Sequence, residues 1–316
     1  MNKDAPKVVV AGSLHYDIFV TADRRPATGE TLSGKSWQPK FGGKGGNQAV
    51  AAAKAGCTVT MVGAVGDDSF APFLLEHLQQ AHIDTQHIAT IPHCGSGMSV
   101  ALSDGSGDYS AVIVSGANLK ISATHLQDNH IYEGAGALIL QNEVSEETNI
   151  IAATQAHKHG LLVCLNAAPV RPMSPEFSRL IDVLIVNQIE AEGISGQAVN
   201  DLNSAEQAAL SLTARFPHVV VTAGGSGVAY ASATNTNEQA RHSENCQATT
   251  TPAKVLKTAL HGQIPAKKVK LISTHGAGDC FVGHLCAALI QGKSLADACA
   301  HANEQAAIHV STPISA

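Results

Sequence analysis

The chain has 316 residues, of which 44% are hydrophobic and 15% are charged, and its formal net charge is −6 at pH 7. This length and apolar fraction suffice for one large α/β domain, whereas the acidic balance and the lack of a basic stripe with interleaved aromatics argue against nucleic-acid binding. No apolar run approaches the roughly eighteen residues of a membrane span, and a polar N-terminus leads directly into a strand, so neither a span nor a secretory signal is expected. Seven scattered cysteines without a Cys-x-x-Cys pair predict a reducing, cytoplasmic location.

Apolar runs with strand character alternate along the chain with amphipathic, helix-like stretches. The strand-like runs lie at 8–10, 59–62, 137–140, 161–165, 183–186 and 219–222, and the clearest helix-like stretches lie at 71–81, 145–159 and 204–216. Near-continuous hydrophobic strands that alternate with helices are typical of a parallel sheet covered on both faces. The predicted fold is therefore α/β, a doubly wound, mostly parallel sheet flanked by helices, in a single domain over 1–316. Ligands are expected at the carboxyl ends of its strands.

Three stretches interrupt this alternation. Segments 16–40 and 96–114 have the period-two pattern of half-buried strands, and the second contains a hairpin turn signal at 104–107. Segment 231–270 is polar and rich in threonine. We expect it to be an irregular insertion that is partly disordered.

A first glycine cluster, at 42–48, opens an alanine-rich helix that is predicted to run to about Ala55 and to stop at Gly56. The cluster presents bare backbone, one lysine and one amide above the start of that helix. Its spacing fits neither the phosphate-binding P-loop nor the dinucleotide-binding fingerprint. A tight turn with Lys44 in water is the alternative interpretation.

A second glycine cluster, at 273–279, precedes a helix-like stretch at 280–291. Gly276 and Gly278 let the backbone come close to a bound anion, and the free N–H groups of a helix start favour negative charge. Asp279 could deprotonate a reacting hydroxyl there. The pairing of an anion cradle with a carboxylate suggests group transfer, although a turn and an N-cap would have the same local sequence.

Together with the segments between them, the two clusters resemble the ribokinase or PfkB carbohydrate kinase family, and the resemblance covers nearly the whole chain. The matching segments are VVVAGSLHYD at 8–17, FGGKGGNQAVAAAKAG at 41–56, VGAVGDDSFA at 62–71, LNAAP at 165–169, NQIEAE at 187–192, TAGGSGV at 222–228 and STHGAGD at 273–279. The resemblance implies a ribokinase-like fold with a small β-sheet lid, formed by about 16–40 and 96–114, that also serves homodimerisation.

The resemblance further implies transfer of the γ-phosphoryl group of ATP to a hydroxymethyl group of a small sugar. Asp279 would be the catalytic base, and the backbone amides of Gly276, Ala277 and Gly278 would bind the transferred group. The residues implied for the sugar hydroxyls are Asp17, Gly43, Lys44, Asn47 and Glu143.

The resemblance assigns a further set of residues to the nucleotide and its metal. Those expected at the phosphates, ribose and adenine are Asn187, Thr222, Gly225, Gly227 and Asn303. Glu190, in the family's Asn-x-x-Glu pair, would order the water shell of Mg²⁺.

Departures from the family pattern concern a monovalent-cation site and the sugar. Ser273 stands where the family usually has an aspartate that helps to form the cation site. The chain is also expected to lack the Gly-rich stretch and last helix that complete this site, because Ala316 follows soon after Ser311. Activation by potassium is therefore doubtful.

Two histidines also depart from the family pattern. His15 and Tyr16 occupy a turn in which ribokinases proper have an asparagine two residues before the aspartate, which weakens a specific assignment of ribose. His275 replaces a smaller neutral residue inside the second glycine cluster.

Three functions remain open from the sequence. A kinase of a free sugar, with ribose as the default, is the leading interpretation. A nucleoside kinase of the same family is the second, since Trp37, Tyr16, Phe19 and Phe41 in or beside the lid could stack on a base. A non-catalytic sugar-binding relative is the third, for which the departures at the cation site would be tolerable.

Overall fold

A computed structural model describes residues 5–104, 109–233 and 261–312. Its strands are β1 Lys7–Ala11, β2 His15–Thr21, β3 Ser36–Gly42, β4 Thr58–Gly66, β5 Asp84–Ile91, β6 Met98–Ser103, β7 Tyr109–Val114, β8 Ala135–Gln141, β9 Leu162–Asn166, β10 Val183–Asn187, β11 His218–Thr222, β12 Gly227–Ser232 and β13 His261–Pro265. Its α-helices are α1 Lys44–Lys54, α2 Phe70–Gln80, α3 Ala123–Leu126, α4 Glu146–Lys158, α5 Pro175–Arg179, α6 Gln188–Ser195, α7 Leu202–Leu212, α8 Ala277–Ile290 and α9 Leu295–Ser311.

The larger sheet has nine strands in the order β13-β12-β11-β10-β9-β8-β1-β4-β5. All neighbours from β11 to β5 pair in parallel, and only the β11–β12 and β12–β13 pairs are antiparallel. Side chains alternate between the two faces of each strand, so Val9 and Val10 of β1 belong to different hydrophobic clusters, one on each face of the sheet. The predicted α/β fold with a mostly parallel sheet is confirmed.

Helices α1 and α8 pack closely on one face of this sheet, and their contact brings the two glycine clusters together. A Cβ added at Gly283 of α8 would lie 2.5 Å from the Cβ of Ala51 and 2.7 Å from the backbone N of Ala52. Only glycine fits at this crossing. Because α1 begins at the first cluster and α8 at the second, the crossing also sets the distance between the two helix starts.

A separate four-stranded sheet, in the order β3-β2-β6-β7, is formed by the two segments that were predicted to be the lid. Its pairing register places Ile18 opposite Val100, and Val100 opposite Val112. Directly opposed residues share a face, so these side chains lie on one side of the lid, while Asp17 and Ser99 lie on the other. The hairpin turn predicted at 104–107 falls largely outside the described residues.

The segment 231–270, predicted to be an irregular insertion, contributes regular structure at both ends. Its start completes β12, and β13 pairs with β12 as the antiparallel edge of the large sheet. The strand β13 was missed because His261–Pro265 is an edge sequence without an apolar run. Residues 234–260 of this segment lie outside the described residues, so the partial disorder expected within 231–270 stays a prediction. Within the described ranges, no helix is both long and apolar enough to cross a bilayer.

Candidate active site

A cavity of about 200 Å³ lies between the pocket-facing side of the lid and the starts of α1 and α8. All five residues predicted to bind the sugar line it, namely Asp17, Gly43, Lys44, Asn47 and Glu143. Gly276 and Asp279 of the second cluster line the same cavity. The structure therefore brings the two glycine clusters to one site.

Asp279 connects the two clusters directly. It is in the first turn of α8, only 8% exposed, and its carboxylate accepts hydrogen bonds from Nδ2 of Asn47 at 3.2 Å and from Nε2 of Gln48 at 3.0 Å. Gln48 Nε2 also donates to Oδ1 of Asn166 at 3.0 Å, so both of its N–H bonds have acceptors. The carboxylate is thereby held in one orientation by the helix that starts at the first cluster.

Burial raises the pKa of Asp279 above its ordinary value. The nearby Lys44 cation and the hydrogen bonds from Gln48 and Asn47 oppose this effect, whereas the negative charge of Glu143 adds to it. A carboxylate with a raised pKa that still has three partners favouring the charged form is suited to accept a proton from an alcohol.

Asp17 lies on β2 at the lid side of the cavity and is 6% exposed. Its Oδ1 accepts a short hydrogen bond from the hydroxyl of Ser99 on the neighbouring strand β6. A Cβ at residue 42 would lie 1.9 Å from Oδ2 of Asp17, so Gly42 makes room for this carboxylate. Burial raises the pKa of Asp17, and the Ser99 hydrogen bond counteracts it.

Glu143 follows β8 and reaches the start of α1. Its Oε2 accepts hydrogen bonds from the hydroxyl of Ser13 and from the backbone N–H of Lys44, the latter at 2.9 Å. Gly43, with φ 84°, caps this helix, and a Cβ there would lie 2.7 Å from the backbone N of His15. The first cluster is thus shaped by close backbone contacts, with the Glu143 carboxylate at the positive end of the helix.

The second cluster forms the N-terminus of α8, with Gly276 as N-cap at φ 71°. The N–H of Ala277 donates to the carbonyl of Thr274 at 3.2 Å, so this predicted donor is already engaged within the turn. Gly278 is exposed, and a Cβ at this position would meet nothing within 4 Å. Since first-turn N–H groups lack partners within the helix, Gly278 offers an accessible amide beside Asp279.

The residues predicted for the nucleotide lie along the same edge of the large sheet but do not line the cavity. Gly227, at φ 124°, pairs with Pro265, and a Cβ there would lie 2.1 Å from the carbonyl O of Ile264. Asn303 of α9 donates to the carbonyl of Pro265 at 3.0 Å. These contacts account for both residues structurally, so their roles toward a nucleotide stay predictions.

Thr222 and Gly225 lie at the end of β11 and in the turn that follows it. The Thr222 hydroxyl is 3.3 Å from the carbonyl O of Val186, which it contacts as a donor. Gly225 is exposed, and a Cβ there would meet nothing within 4 Å. Neither packing nor a positive φ requires glycine at this position. The open space beside it would let a ligand approach the backbone.

Glu190 and Asn187 form a reciprocal capping box at the start of α6. Oε2 of Glu190 accepts from the Asn187 backbone N–H at 2.8 Å, Oε1 accepts from Asn187 Nδ2 at 2.9 Å, and Asn187 Oδ1 accepts from the Glu190 N–H at 2.9 Å. Burial raises the pKa of Glu190, whose charge also interacts with those of Lys44 and Asp279.

The carboxylates of Glu190 and Asp279 fit an Mg²⁺ ion that keeps most of its water. In the described ranges, no group of three His, Cys, Asp or Glu side chains could enclose a metal. Mg²⁺ typically takes one or two carboxylates together with phosphate oxygens and water, so Glu190 near Asp279 is compatible with an outer-shell role.

Of the four aromatic residues considered for base stacking, only Phe19 lines the cavity. Tyr16 stacks on Phe70 with ring centroids 4.2 Å apart, and Phe41 stacks on His77 at 4.1 Å. Trp37 is 66% exposed, on β3 opposite Val20. Tyr16 and Phe41 therefore pack against helix α2, whereas Trp37 is exposed to solvent.

Two cavity residues were not assigned a role from the sequence. His15 is buried, and its Nε2 has no hydrogen-bond partner among the described residues. His275 packs edge-on against Phe19 with ring centroids 5.3 Å apart, and burial lowers its pKa. Gln48 was not identified from the sequence, because its contact with Asp279 depends on how α1 and α8 pack.

Comparison with known proteins gives concordant matches. The family model described as pfkB family carbohydrate kinase matches residues 5–315. The chain is 35% identical over 286 residues to ribokinase of Mus musculus, covering 90% of this chain and 81% of the relative, and 33% identical over 305 residues to ribokinase of Bacillus subtilis (strain 168), covering 96% and 92%. The structure of Arabidopsis thaliana ribokinase complexed with ribose and ATP superposes with a TM-score of 0.82 at 27% identity, over 98% of this chain and 94% of that one.

Proposed function

Because the chain belongs to the pfkB family of carbohydrate kinases, we propose that it transfers the γ-phosphoryl group of ATP to the hydroxymethyl oxygen of a small sugar, with ribose as the default substrate. The observation that carries the proposal is the pair of hydrogen bonds from Asn47 and Gln48 to Asp279. They hold a buried carboxylate between a polar cavity and the open amide of Gly278.

In the proposed reaction, Asp17, Asn47 and Glu143 hold the sugar hydroxyls, each through oxygen or amide groups that face the cavity. The hydroxymethyl oxygen forms a bond to the γ-phosphorus as the bond from that phosphorus to the bridging β,γ oxygen breaks. The hydroxyl proton moves to Asp279, and ADP leaves with the bridging oxygen. The protein contributes alignment, stabilisation of charge and removal of one proton.

Helix α8 stabilises the charge on the transferred group. The amide of Gly278 and the N-terminal dipole of this helix face the position where negative charge accumulates. Mg²⁺, held through water near Glu190 and by the nucleotide phosphates, would neutralise part of the phosphate charge. Asn187, Thr222, Gly225, Gly227 and Asn303 are proposed to bind the nucleotide.

A homodimer through the lid is part of the proposal. The face of the lid that points away from the cavity carries apolar side chains, among them Val112 at 71%, Val114 at 52% and Val100 at 40% exposure. Such a contiguous apolar surface favours association, and a second copy of the same sheet would cover it. The cytoplasmic location stays a prediction.

The test is ATP consumption with Mg²⁺ across a panel of pentoses, hexoses and nucleosides, for the wild type and for Asp279→Asn. We expect a pentose to be the preferred acceptor, and the variant to lose roughly two to four orders of magnitude in turnover with nearly unchanged nucleotide affinity. If a nucleoside is preferred, the sugar assignment is wrong. If no acceptor supports turnover, the non-catalytic sugar-binding interpretation is correct.

A further inference from the structure

The ring of His309, on the last described helix α9, contacts the loop that leads into α8. Its Nε2 lies 2.8 Å from the backbone carbonyl oxygen of His275. A carbonyl oxygen can only accept a hydrogen bond, so Nε2 must carry the proton in this arrangement. His309 therefore donates a hydrogen bond from its Nε2–H group to a backbone carbonyl of the second glycine cluster.

The backbone ties the same two segments together. The N–H groups of Ile272 and Ser273 point to the carbonyl oxygen of Val310, at 2.8 and 3.2 Å. A Cβ at Gly276 would lie 3.5 Å from Nε2 of His309, so the ring sits directly against the N-cap of α8. The position of this N-cap determines where the amide of Gly278 and the carboxylate of Asp279 point.

The residues around this loop do not fit the monovalent cation that the family resemblance implies. Ser273 brings a neutral hydroxyl where an aspartate would be needed, and its Oγ accepts from the N–H of His275 at 3.2 Å. The carbonyl of His275 is already occupied by the His309 ring. A cation at this carbonyl would have to share it with that N–H donor, and it would gain no carboxylate from residue 273.

We propose that His309 is a positioning residue that holds the second glycine cluster in place, so that this kinase needs no monovalent cation. The N–H of the ring provides the hydrogen bond that fixes the His275 carbonyl, and through it the start of α8. This inference rests on the proposed function, because its effect on turnover presupposes that Gly278 and Asp279 act on the transferred phosphoryl group.

The kinetic test compares wild type, His309→Ala, His309→Gln and the control His301→Ala in potassium, sodium or tetramethylammonium chloride at one ionic strength. His301 belongs to the same helix and contacts His284, with ring centroids 5.6 Å apart, rather than the loop. We expect wild-type turnover to be the same within about twofold in all three salts. His309→Ala should lose roughly 5- to 100-fold in turnover with little change in the KM for the sugar, because a loop carbonyl loses its donor.

Glutamine can place an N–H near the same carbonyl, so His309→Gln should recover most of the loss, and His301→Ala should behave like the wild type. Potassium activation of the wild type, or full turnover of His309→Ala with unchanged melting, would overturn the proposal. If His309→Ala does not fold, His309→Gln and the wild-type salt series decide the question.

A measurement without turnover separates this inference from the proposed function. ¹⁵N-resolved imidazole spectra of the wild type should show His309 protonated at Nε2 in the absence of any substrate, and the signal should stay unchanged when potassium replaces tetramethylammonium. Protonation at Nδ1 alone, or a potassium-dependent shift of this signal, contradicts the role of His309. Lack of kinase activity with the expected spectrum contradicts only the proposed function.

Discussion

The substitution Gly278→Ala, at the start of α8, should lower activity without lowering stability. The added Cβ would meet nothing within 4 Å in the protein, and Gly278 is outside the positive-φ region. Replacing glycine by alanine in such a compatible conformation stabilises a protein by about 0.4–1 kcal/mol, chiefly by restricting the unfolded chain. The free energy of unfolding should therefore rise slightly or stay unchanged.

The same Cβ would stand in the space from which a phosphoryl group approaches the amide of Gly278. Loss of one preorganised donor to a developing negative charge costs about 10²- to 10³-fold in turnover, which corresponds to about 2.7–4 kcal/mol. We expect Gly278→Ala to lower kcat by this factor with little effect on the KM for the sugar, because the proposed sugar residues lie on the lid, on α1 and after β8 rather than on α8.

The assay is coupled detection of ADP together with thermal and denaturant unfolding. Gly283→Ala, on the same helix, is the control with the opposite expectation. Its Cβ would lie 2.5 Å from the Cβ of Ala51, so this substitution should destabilise the fold. Turnover of Gly278→Ala within about threefold of the wild type would refute the assignment of this amide to the transferred group. A melting temperature well below that of the wild type would refute the claim that the position is sterically free.

Three further outcomes follow from the site and the lid. Gln48→Leu removes a hydrogen bond that lowers the pKa of Asp279, so that pKa should rise. The acid limb of the pH profile of kcat/KM should then move to higher pH. An unchanged acid limb would exclude Asp279 as the titrating base. Asp279→Asn should be more stable than the wild type at pH 7–8, because burial raises the pKa of Asp279 and the charged form is the costly one. This advantage should shrink in unfolding measurements as the pH falls through that raised pKa. Val112→Lys on the outer face of the lid should convert a dimer to a monomer in sedimentation experiments while leaving the fold intact, and an unaltered dimer would place the interface elsewhere.

The large sheet could be predicted from the sequence because it depends on strong local signals. Buried parallel strands such as Val183–Asn187 consist almost entirely of apolar residues, which makes them recognisable in the sequence. The residues around the sugar, from Asp17 to Glu143, were implied by the family resemblance, and they line one cavity. The two glycine clusters meet because α1 and α8 cross at Gly283.

Other features depend on pairing that local sequence does not specify. The edge strand His261–Pro265 has no apolar run, and it is held by pairing with β12 and by hydrogen bonds from His261 and Gln263 to side chains of α7. Gln48 reads as an ordinary helical residue until α8 places Asp279 beside it. Glu190 and Asn187 matched a family pair by sequence, yet their reciprocal hydrogen bonds would also stabilise α6 without any ligand.

The glycines of the two clusters, together with Gly225 after β11, do not carry equal weight as evidence for a ligand. In the first cluster, a Cβ at residue 43 or 45 would come within 2.7 Å of a backbone atom, so the fold itself demands glycine there. Such residues would persist in a protein that binds nothing. Gly278 and Gly225 have ordinary backbone angles and empty surroundings, and both would be better replaced by alanine if folding were the only requirement. At these two positions, access of a bound ligand to the backbone is a physical reason for the missing side chain, whereas packing within the protein is not.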